Sequence, residues 1–424
     1  MRGIGAVLVL KIGMNRCVKG VIGAFDGADY KNKEIHNACI KEAKHINEAI
    51  VKTDTGKYYV FPFLRETKEL CVYTGPIVRK DWLDKLNMEV PETIQEWEEM
   101  LVKFRDEMGA DIPLSSLGSF LNKGFISSAF GVTSDFFVGN DGKVKFGPNE
   151  EGYIEYLKLM KRWYDMGILD QNFASIDSNV LQTNILSSRT GATCHNAGGG
   201  LARWMAAMET EDSEFELVGA PYPVLKKGDR PQISIMEWPY NPSSSYAISQ
   251  DCKNVELAAR WLDYGYSEEG HLTYNFGIED VSYSVEENYP TLTELITNNP
   301  DGTPMTSVLP QYVMGSYSGP FVQDKRLVDQ TQSLSQQREA ASTWADTDGD
   351  KHLLPLFSYT SEELSELTTI RADLSTYVNE MTFEFIMGTK SLDDYDSFLE
   401  QLKAMKLERA LEIMNDALKR YNNR

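Results

Sequence analysis

The stretch from Gly56 to Asp106, GKYYVFPFLRETKELCVYTGPIVRKDWLDKLNMEVPETIQEWEEMLVKFRD, decides the fold. Its aromatic and β-branched run, Tyr58 to Phe63, is typical of a buried strand, and a second apolar run covers Leu70 to Tyr73. Thr93 followed three residues later by Glu96 forms a capping box that opens an amphipathic helix. The stretch therefore predicts an α/β element with one apolar side.

The length and charge of the chain narrow the function. A chain of 424 residues is too long for one ordinary core and predicts two α/β lobes. Its net charge of −21 opposes binding to nucleic acids and to anionic membrane surfaces, because both repel a negative protein. A neutral ligand such as a sugar stays compatible with this charge.

The N-terminal segment differs from the rest of the chain. Residues 1–57 hold ten Lys and Arg against six Asp and Glu, a balance of +4 in an otherwise acidic protein. An apolar run, Ile4 to Leu10, imitates a signal peptide, but Lys11 interrupts it and Arg16 stands before Cys17, where a lipobox needs small residues. Residues 1–51 are therefore treated as an atypical segment, with one predicted amphipathic helix from Lys33 to Ile50.

Patterns for catalysis and metal binding are weak. The five cysteines show no zinc spacing, and no GxSxG or HExxH occurs. Cys194 and His195 are neighbours on a predicted strand, so their side chains point to opposite faces and form no dyad with each other. Asp346 to Asp350 resembles the start of a calcium loop, but Phe357 stands where a bidentate Glu is required, and we expect a solvated turn. The sequence predicts no enzyme, no cofactor and no metal site.

Several strings resemble one protein family. They are Tyr-Tyr-Val-Phe-Pro-Phe at 58–63, Arg79 to Leu86, Pro91 to Trp97, Trp163 to Asp170 and Asn275 to Glu279. Their order and spacing resemble the extracellular solute-binding proteins of bacterial ABC importers, closest to the lipoprotein-type oligosaccharide binders of family 1.

The resemblance implies a two-lobed periplasmic-binding-protein-like fold of type II. It implies a monomer that binds a carbohydrate between its lobes without catalysis and passes it to permease subunits. It also implies an extracellular, membrane-anchored location, although the chain as given shows no signal peptide or lipobox, and the family's opening strands of lobe one are missing. A secreted glycan-degrading enzyme and a truncated, non-binding paralogue are the alternatives.

The predicted boundaries follow from the element pattern and the resemblance. Residues 52–110 and about 254–330 are assigned to lobe one, residues 111–253 to lobe two, and residues 331–424 to a C-terminal helical part. If residues 1–51 do not replace the missing strands, lobe one has an uncovered sheet edge and is the less stable half.

Sugar binding requires aromatic faces and planar polar groups, so loop aromatics beside amides and carboxylates are the candidates. Glu237, Trp238 and Tyr240 lie between prolines that oppose a helix or a central strand, although a packed loop explains them equally well. Trp344 stands in a polar context without helical partners. The remaining candidates, three of them by analogy with the family's cleft, are Asn196 before a glycine-rich turn, Arg65, Glu66, Phe120 and Tyr317.

Four other tryptophans lie on apolar faces of predicted helices. We expect these to belong to the core; they are Trp82, Trp97, Trp163 and Trp261.

Overall fold

The computed structural model describes residues 50–314, 318–332 and 334–424. Ten strands are found in these ranges. They are β1 (Phe61–Arg65), β2 (Thr74–Arg79), β3 (Phe136–Val138), β4 (Val144–Phe146), β5 (Ala192–Asn196), β6 (Leu217–Gly219), β7 (Tyr240–Tyr246), β8 (Tyr283–Glu286), β9 (Tyr289–Leu292) and β10 (Val322–Gln323).

Helices account for most of the regular structure in the same ranges. The α-helices of four or more residues are α1 (Lys80–Lys85), α2 (Ile94–Asp106), α3 (Glu151–Asp165), α4 (Ser178–Leu186), α5 (Arg203–Met208), α6 (Val255–Asp263), α7 (Glu268–Phe276), α8 (Glu294–Thr297), α9 (Met305–Val308), α10 (Lys325–Thr331), α11 (Ser335–Ala345), α12 (Gly349–His352), α13 (Ser361–Met387), α14 (Tyr395–Ala404) and α15 (Leu407–Tyr421).

The described residues divide into two compact units. The first unit comprises residues 50–71, 238–332 and 421–424, and the second comprises Val72–Glu237 and Leu334–Arg420. The predicted boundaries differ from this division, because the chain leaves the first unit at Cys71, well before residue 110, and returns to it at Trp238. The stretch Gly56–Asp106 is thus shared, with β1 in one unit and β2 in the other.

The second unit contains the antiparallel sheet β5-β2-β6 and a large apolar core. The capping box of α2 forms as predicted, since Thr93 accepts a hydrogen bond from the Glu96 amide and the Glu96 carboxylate accepts one from the Thr93 amide. Trp97 and Trp163 are fully buried in the core and Trp82 is nearly so, as expected. The turn signal Asn140-Asp141-Gly142 predicts a hairpin, and β3 and β4 form it.

The first unit contains the sheet β10-β1-β7, in which β1 runs parallel to β10 and antiparallel to β7. β1 begins three residues later than predicted, at Phe61. The sequence predicts a strand from Tyr246 to Ser249, whereas β7 covers Tyr240–Tyr246. Pro242 lies within β7, where the register with β1 shifts between Phe61 and Phe63. A proline is tolerated there because an edge strand with an irregular register does not need every ladder hydrogen bond.

The first unit also departs from the sequence prediction at two places. Residues 273–330 are rich in Tyr, Asn, Pro and Gly and are predicted from the sequence as loops and crossovers, but their described part contains the hairpin of β8 and β9, helices α8 and α9 and most of α10. Trp261 was predicted to be core, yet 57% of its surface is exposed. The predicted helix from Lys33 to Ile50 lies outside the described residues, as does the rest of the N-terminal segment. The one exception is Ile50, which is described and buried.

Candidate functional site

A group of polar and aromatic residues meets at one end of the sheet in the second unit. In the register of β2 with β5, Thr74 lies opposite Asn196, and its hydroxyl donates to Asn196 Oδ1 over 2.5 Å. Tyr73, one residue earlier, accepts a hydrogen bond at its carbonyl from the Ala197 amide. The ring of Tyr73 is 41% exposed, whereas Thr74 is buried. The pairing of two strands therefore places the Asn196 amide beside an exposed tyrosine.

Glu237 brings a carboxylate to the same place. The Tyr73 hydroxyl donates a hydrogen bond to Glu237 Oε1, across 164 residues of sequence. The segment before Glu237 is held to the second unit by Tyr222, whose hydroxyl accepts from the Ile235 amide and donates to the Thr74 carbonyl. Carboxylate and amide oxygens next to an aromatic ring are the groups that bind sugar hydroxyls and sugar C–H faces.

His195, the residue before Asn196 in β5, makes a separate aromatic contact with Phe120. The imidazole of His195 lies 5.8 Å from the Phe120 ring and 4.9 Å from the Trp204 ring, measured between centroids. Gly200 permits this position, because a Cβ there would approach His195 Nδ1 to 2.6 Å. Burial lowers the pKa of His195, so the imidazole is neutral at pH 7. We call the candidate residues of these three separate contacts, Tyr73, Phe120, His195, Asn196 and Glu237, the second-unit cluster.

The glycine-rich turn after Asn196 is only partly as expected. Residues Ala197–Ala202 form a π-helical turn that continues into α5. Gly198 and Gly199 are exposed, and nothing lies within 4 Å of a Cβ built on either residue. The amide of Ala197, however, is already used by the Tyr73 carbonyl. The turn therefore contributes an open backbone surface beside the second-unit cluster.

In the first unit, Arg65 positions the segment that carries Trp238. Arg65 is 3% exposed, and its guanidinium donates to the Trp238 carbonyl while its backbone amide donates to the Pro239 carbonyl. Arg65 thus holds the backbone of this segment, and its burial argues against the direct ligand contact predicted for it. Trp238 itself is intermediate in exposure and remains a candidate.

Two predicted aromatic contacts are corrected by burial. Tyr240 is 8% exposed within β7, and burial raises the pKa of its hydroxyl to about 12. Trp344 is fully buried on α11, where its indole N–H donates to the carbonyls of Pro76 and Ala220, each over 3.1 Å. It packs on Gly75 and Gly219, which leave no room for a Cβ. Both side chains are structural, and Tyr317 lies outside the described residues.

Glu66 belongs to a buried polar network in the first unit. Its carboxylate accepts from the Lys325 amide, and burial, followed by the nearby Asp324 charge, raises its pKa. Burial also opposes ionisation of Asp324, but hydrogen bonds from His271 and Arg326 outweigh it and lower the pKa of Asp324 to about 2. Oxygen and nitrogen atoms of Glu66, His271 and Asp324 lie within 4.8 Å of one another, as in a metal site.

Arg326 brings a positive charge to this network. It donates to both carboxylate oxygens of the fully buried Asp324, at 3.0 and 2.6 Å. The guanidinium supplies the positive charge that an ion would otherwise supply, so this network is an ion-pair structure. At the predicted solvated turn, the guanidinium of Arg230 forms salt bridges with both Asp346 and Asp348. The absence of a metal requirement stays a prediction.

Two adjoining surface depressions of about 700 and 530 Å³ lie elsewhere on the second unit. They share Phe130, Gly131 and Gln232 in their walls. None of the predicted site residues lines either depression. Size alone therefore does not identify the binding site in this protein.

Comparison with known proteins connects the fold with sugar transport. No family model matches the chain. The fructooligosaccharide ABC transporter substrate-binding protein FusA of Streptococcus pneumoniae is 23% identical over 437 residues, which cover 96% of this chain and 78% of FusA. Lipoprotein LipO of Bacillus subtilis is 23% identical over 405 residues, 91% of this chain and 76% of LipO. The chain is thus similar over most of its length to a substrate-binding protein of a bacterial ABC transporter and to a bacterial lipoprotein.

Solved structures support the same fold. The alginate-binding protein AlgQ2 superposes with a TM-score of 0.69 at 22% identity, covering 94% of this chain and 82% of AlgQ2. FusA from S. pneumoniae in complex with kestose gives a TM-score of 0.67 at 21% identity, with 96% and 84% covered. An extracellular solute-binding protein from Bifidobacterium longum subsp. infantis gives 0.70 at 16% identity, with 91% and 81% covered.

These similarities support a two-lobed α/β fold of the type II periplasmic-binding-protein class. Within the described ranges, every helix is too short or too polar to cross a bilayer. The predicted fold class and family are confirmed. The roles of individual site residues stay predictions.

Proposed function

We propose that this protein is the substrate-binding component of an ABC importer and that it binds an oligosaccharide without altering it. The observation that supports this most is similarity over more than nine tenths of the chain to two relatives, one of which is named as a fructooligosaccharide-binding protein. Structural neighbours named for alginate and kestose binding point to the same class of ligand.

The second-unit cluster offers suitable chemistry for one face of such a ligand. Tyr73 and Phe120 provide rings, Asn196 provides an amide, and Glu237 provides a carboxylate. Trp238, the first residue of the first unit after Glu237, stays a separate aromatic candidate. The expected closure of the two lobes around the ligand, delivery to permease subunits, a monomeric state and an extracellular, anchored location all remain part of the proposal.

We further propose that the ligand is neutral. The whole chain carries a charge of −21, and Glu237 places a carboxylate in the cluster. A uronate-rich chain such as alginate would bring further negative charges toward these groups, and like charges repel. Neutral fructo-oligosaccharides do not meet this repulsion.

Calorimetric titration of the purified chain with a panel of oligosaccharides tests the proposal. The panel contains short fructo-oligosaccharides, neutral milk-type oligosaccharides and alginate oligosaccharides. Each ligand is recovered after the titration, and its molecular mass is measured by mass spectrometry. We expect saturable binding of a neutral member with the ligand recovered intact. Shortened products would instead favour a glycan-degrading enzyme, and no binding by any member would favour a non-binding paralogue.

A further inference from the structure

His195 differs from the other described histidines in how its ring nitrogens are used. His271 Nε2 lies 2.9 Å from Asp324 Oδ2. His352 Nδ1 lies 2.6 Å from the Val138 carbonyl oxygen. Among the described residues, neither ring nitrogen of His195 has a hydrogen-bond partner. Because buried polar groups are nearly always hydrogen-bonded, this exception requires a physical explanation.

The two nitrogens of His195 have different surroundings. Nδ1 is a buried atom without a partner in the described part of the chain. Nε2 does not belong to the buried atoms, so it reaches the surface. The residue as a whole is intermediate in exposure. The imidazole therefore encloses one nitrogen and exposes the other.

Close packing holds the ring in this orientation. The Trp204 ring lies 4.9 Å away and the Phe120 ring 5.8 Å away, measured between centroids. Gly200 lies so close to Nδ1 that a Cβ on this glycine would approach the nitrogen to 2.6 Å. The position of the outward nitrogen is thus fixed by contacts of the ring with its neighbours.

The same surroundings indicate where the proton of the ring lies. Burial lowers the pKa of His195, so at pH 7 one nitrogen carries a proton and the other a lone pair. A buried N–H without an acceptor is rarer than a buried acceptor without a donor, which favours the proton on Nε2. In neutral His352 the opposite tautomer is favoured, because its Nδ1 donates to the Val138 carbonyl.

An outward N–H beside an aromatic ring suits a saccharide, which offers hydroxyl and ring oxygens as acceptors and C–H patches for the ring. On the basis of the proposed function as an oligosaccharide-binding component, we infer that His195 contacts the saccharide and donates its Nε2–H to a saccharide oxygen. The competing role is packing alone, in which His195 only fills the space between Phe120 and Trp204.

A pair of substitutions separates these two roles. His195→Gln keeps an N–H donor near the position of Nε2, whereas the shorter His195→Asn places its amide near the position of Nδ1. Both variants lose the contacts of the ring with Phe120 and Trp204. In calorimetric titration of the full-length variants with kestose and the other neutral panel members, His195→Asn should bind about five- to tenfold more weakly than His195→Gln. Equal affinities would overturn the inference.

His352 provides the matched control, because it is a histidine of the same unit with the opposite tautomer. His352→Asn keeps a donor for the Val138 carbonyl and His352→Gln does not, so the Gln variant should have the lower thermal midpoint. Both His352 variants should bind with unchanged affinity. A loss of affinity as large as that of His195→Asn would mean that binding reports general damage to the second unit, and the inference would fail.

Nuclear magnetic resonance of the unmodified chain keeps the test independent of substitutions. Long-range proton–nitrogen correlation spectra distinguish the two tautomers of each histidine. We expect the Nε2–H tautomer for His195 and a shift of its Nε2 signal when a panel member that binds is added, while the His352 signals stay in place. An Nδ1–H tautomer, or an unchanged Nε2 signal at saturation, would contradict the inference.

The result also shows whether the proposed function or the role of His195 is wrong. If no panel member binds the unmodified chain, the proposed function fails and the inference fails with it. If a member binds and His195 responds in neither measurement, the proposed function stands and only the role of His195 is wrong.

Discussion

The two units differ in how they bury apolar surface. In the second unit one continuous cluster extends from Val78 in β2 to Leu418 in α15 and includes Trp97, Trp163 and Phe385. In the described part of the first unit, one cluster has six buried members around Phe276 and another has only four around Leu262. Since buried apolar area supplies most of the stability of a fold, the second unit is expected to be the more stable one.

The largest effect is expected from a cavity in the core of the second unit. Trp97 is fully buried and lies edge-on to Phe125 at 5.4 Å. Trp97→Ala should lower the free energy of unfolding by about 3–5 kcal/mol, the range for truncating a large buried aromatic residue. Urea unfolding followed by circular dichroism measures this change.

The matched control is Trp261→Ala in the first unit. A side chain that is open to solvent contributes little, so this variant should cost about 1 kcal/mol or less. Equal losses in the two variants would show that the first unit has a core as tightly packed as that of the second.

The second effect concerns two arginines that both pair with an aspartate. Arg79 is buried between the rings of Trp82 and Phe215, at 4.4 and 4.3 Å, and binds both oxygens of Asp81 at 2.7 Å. Arg79→Ala leaves the Asp81 carboxylate buried without this partner and should cost about 3 kcal/mol. The measurement is again the midpoint of urea unfolding.

Arg189 is the control for this prediction, because its pair with Asp111 has the same bidentate form but is about half exposed. Arg189→Ala should cost about 1 kcal/mol or less, since water screens an exposed pair. If both substitutions cost the same, burial would not be what makes the Arg79 pair strong.

Local patterns predicted the second unit better than the first. The capping box of α2, the β3–β4 hairpin and the buried positions of Trp97 and Trp163 all follow from spacing within about fifteen residues, and the structure contains them. In the first unit, β1 pairs with residues 240–246 and 322–323, far away in sequence, and these contacts set where its strands begin. No local pattern records such pairings.

The candidate site shows the same limit. Asn196, Phe120 and Glu237 were predicted singly, and in the structure they contact Thr74, His195 and Tyr73, respectively. Tyr73, which connects Glu237 with β5, was assigned only to a strand, because nothing local indicates a partner 164 residues away. Trp344 was misjudged for a related reason, since its burial depends on Gly75 and Gly219 in two distant strands.

The third effect is a pH dependence located in the first unit. Burial raises the pKa of Asp324, but the hydrogen bonds from His271 and Arg326 lower it to about 2, below the unfolded value of about 3.9. A depressed carboxyl pKa adds stability above the unfolded value, and this stability is lost as pH falls from about 4 to 2. The magnitude is about 2 kcal/mol for a shift of this size.

Asp324→Asn should remove this contribution at pH 7 and flatten the fall in stability between pH 4 and pH 2. Hydrogen exchange measured at both pH values separates the units, and the change is expected in peptides of the first unit. Asp111→Asn changes an exposed pair in the second unit and is the control. It should leave the loss of stability of the first unit between pH 4 and pH 2 unchanged. If Asp324→Asn loses as much stability between pH 4 and pH 2 as the unchanged protein, Asp324 is not the source of this pH dependence.

The smallest effect on stability is expected at Trp238, the residue that follows Glu237 in the sequence. Trp238 is held through its backbone by Arg65, while its side chain is only partly buried. Trp238→Ala should weaken oligosaccharide binding by about 1–3 kcal/mol, a typical cost of removing an aromatic contact, and should change the free energy of unfolding of the ligand-free protein by less than about 0.5 kcal/mol.

Tyr73→Ala provides the comparison from the other unit, because it removes both a ring and the hydroxyl that donates to Glu237. If both variants weaken binding to the ligand found by calorimetry, the two units contribute to one ligand. A large loss of stability in the ligand-free Trp238→Ala protein would instead assign Trp238 to the core of the first unit, and the recognition surface would then consist of the second-unit cluster without it.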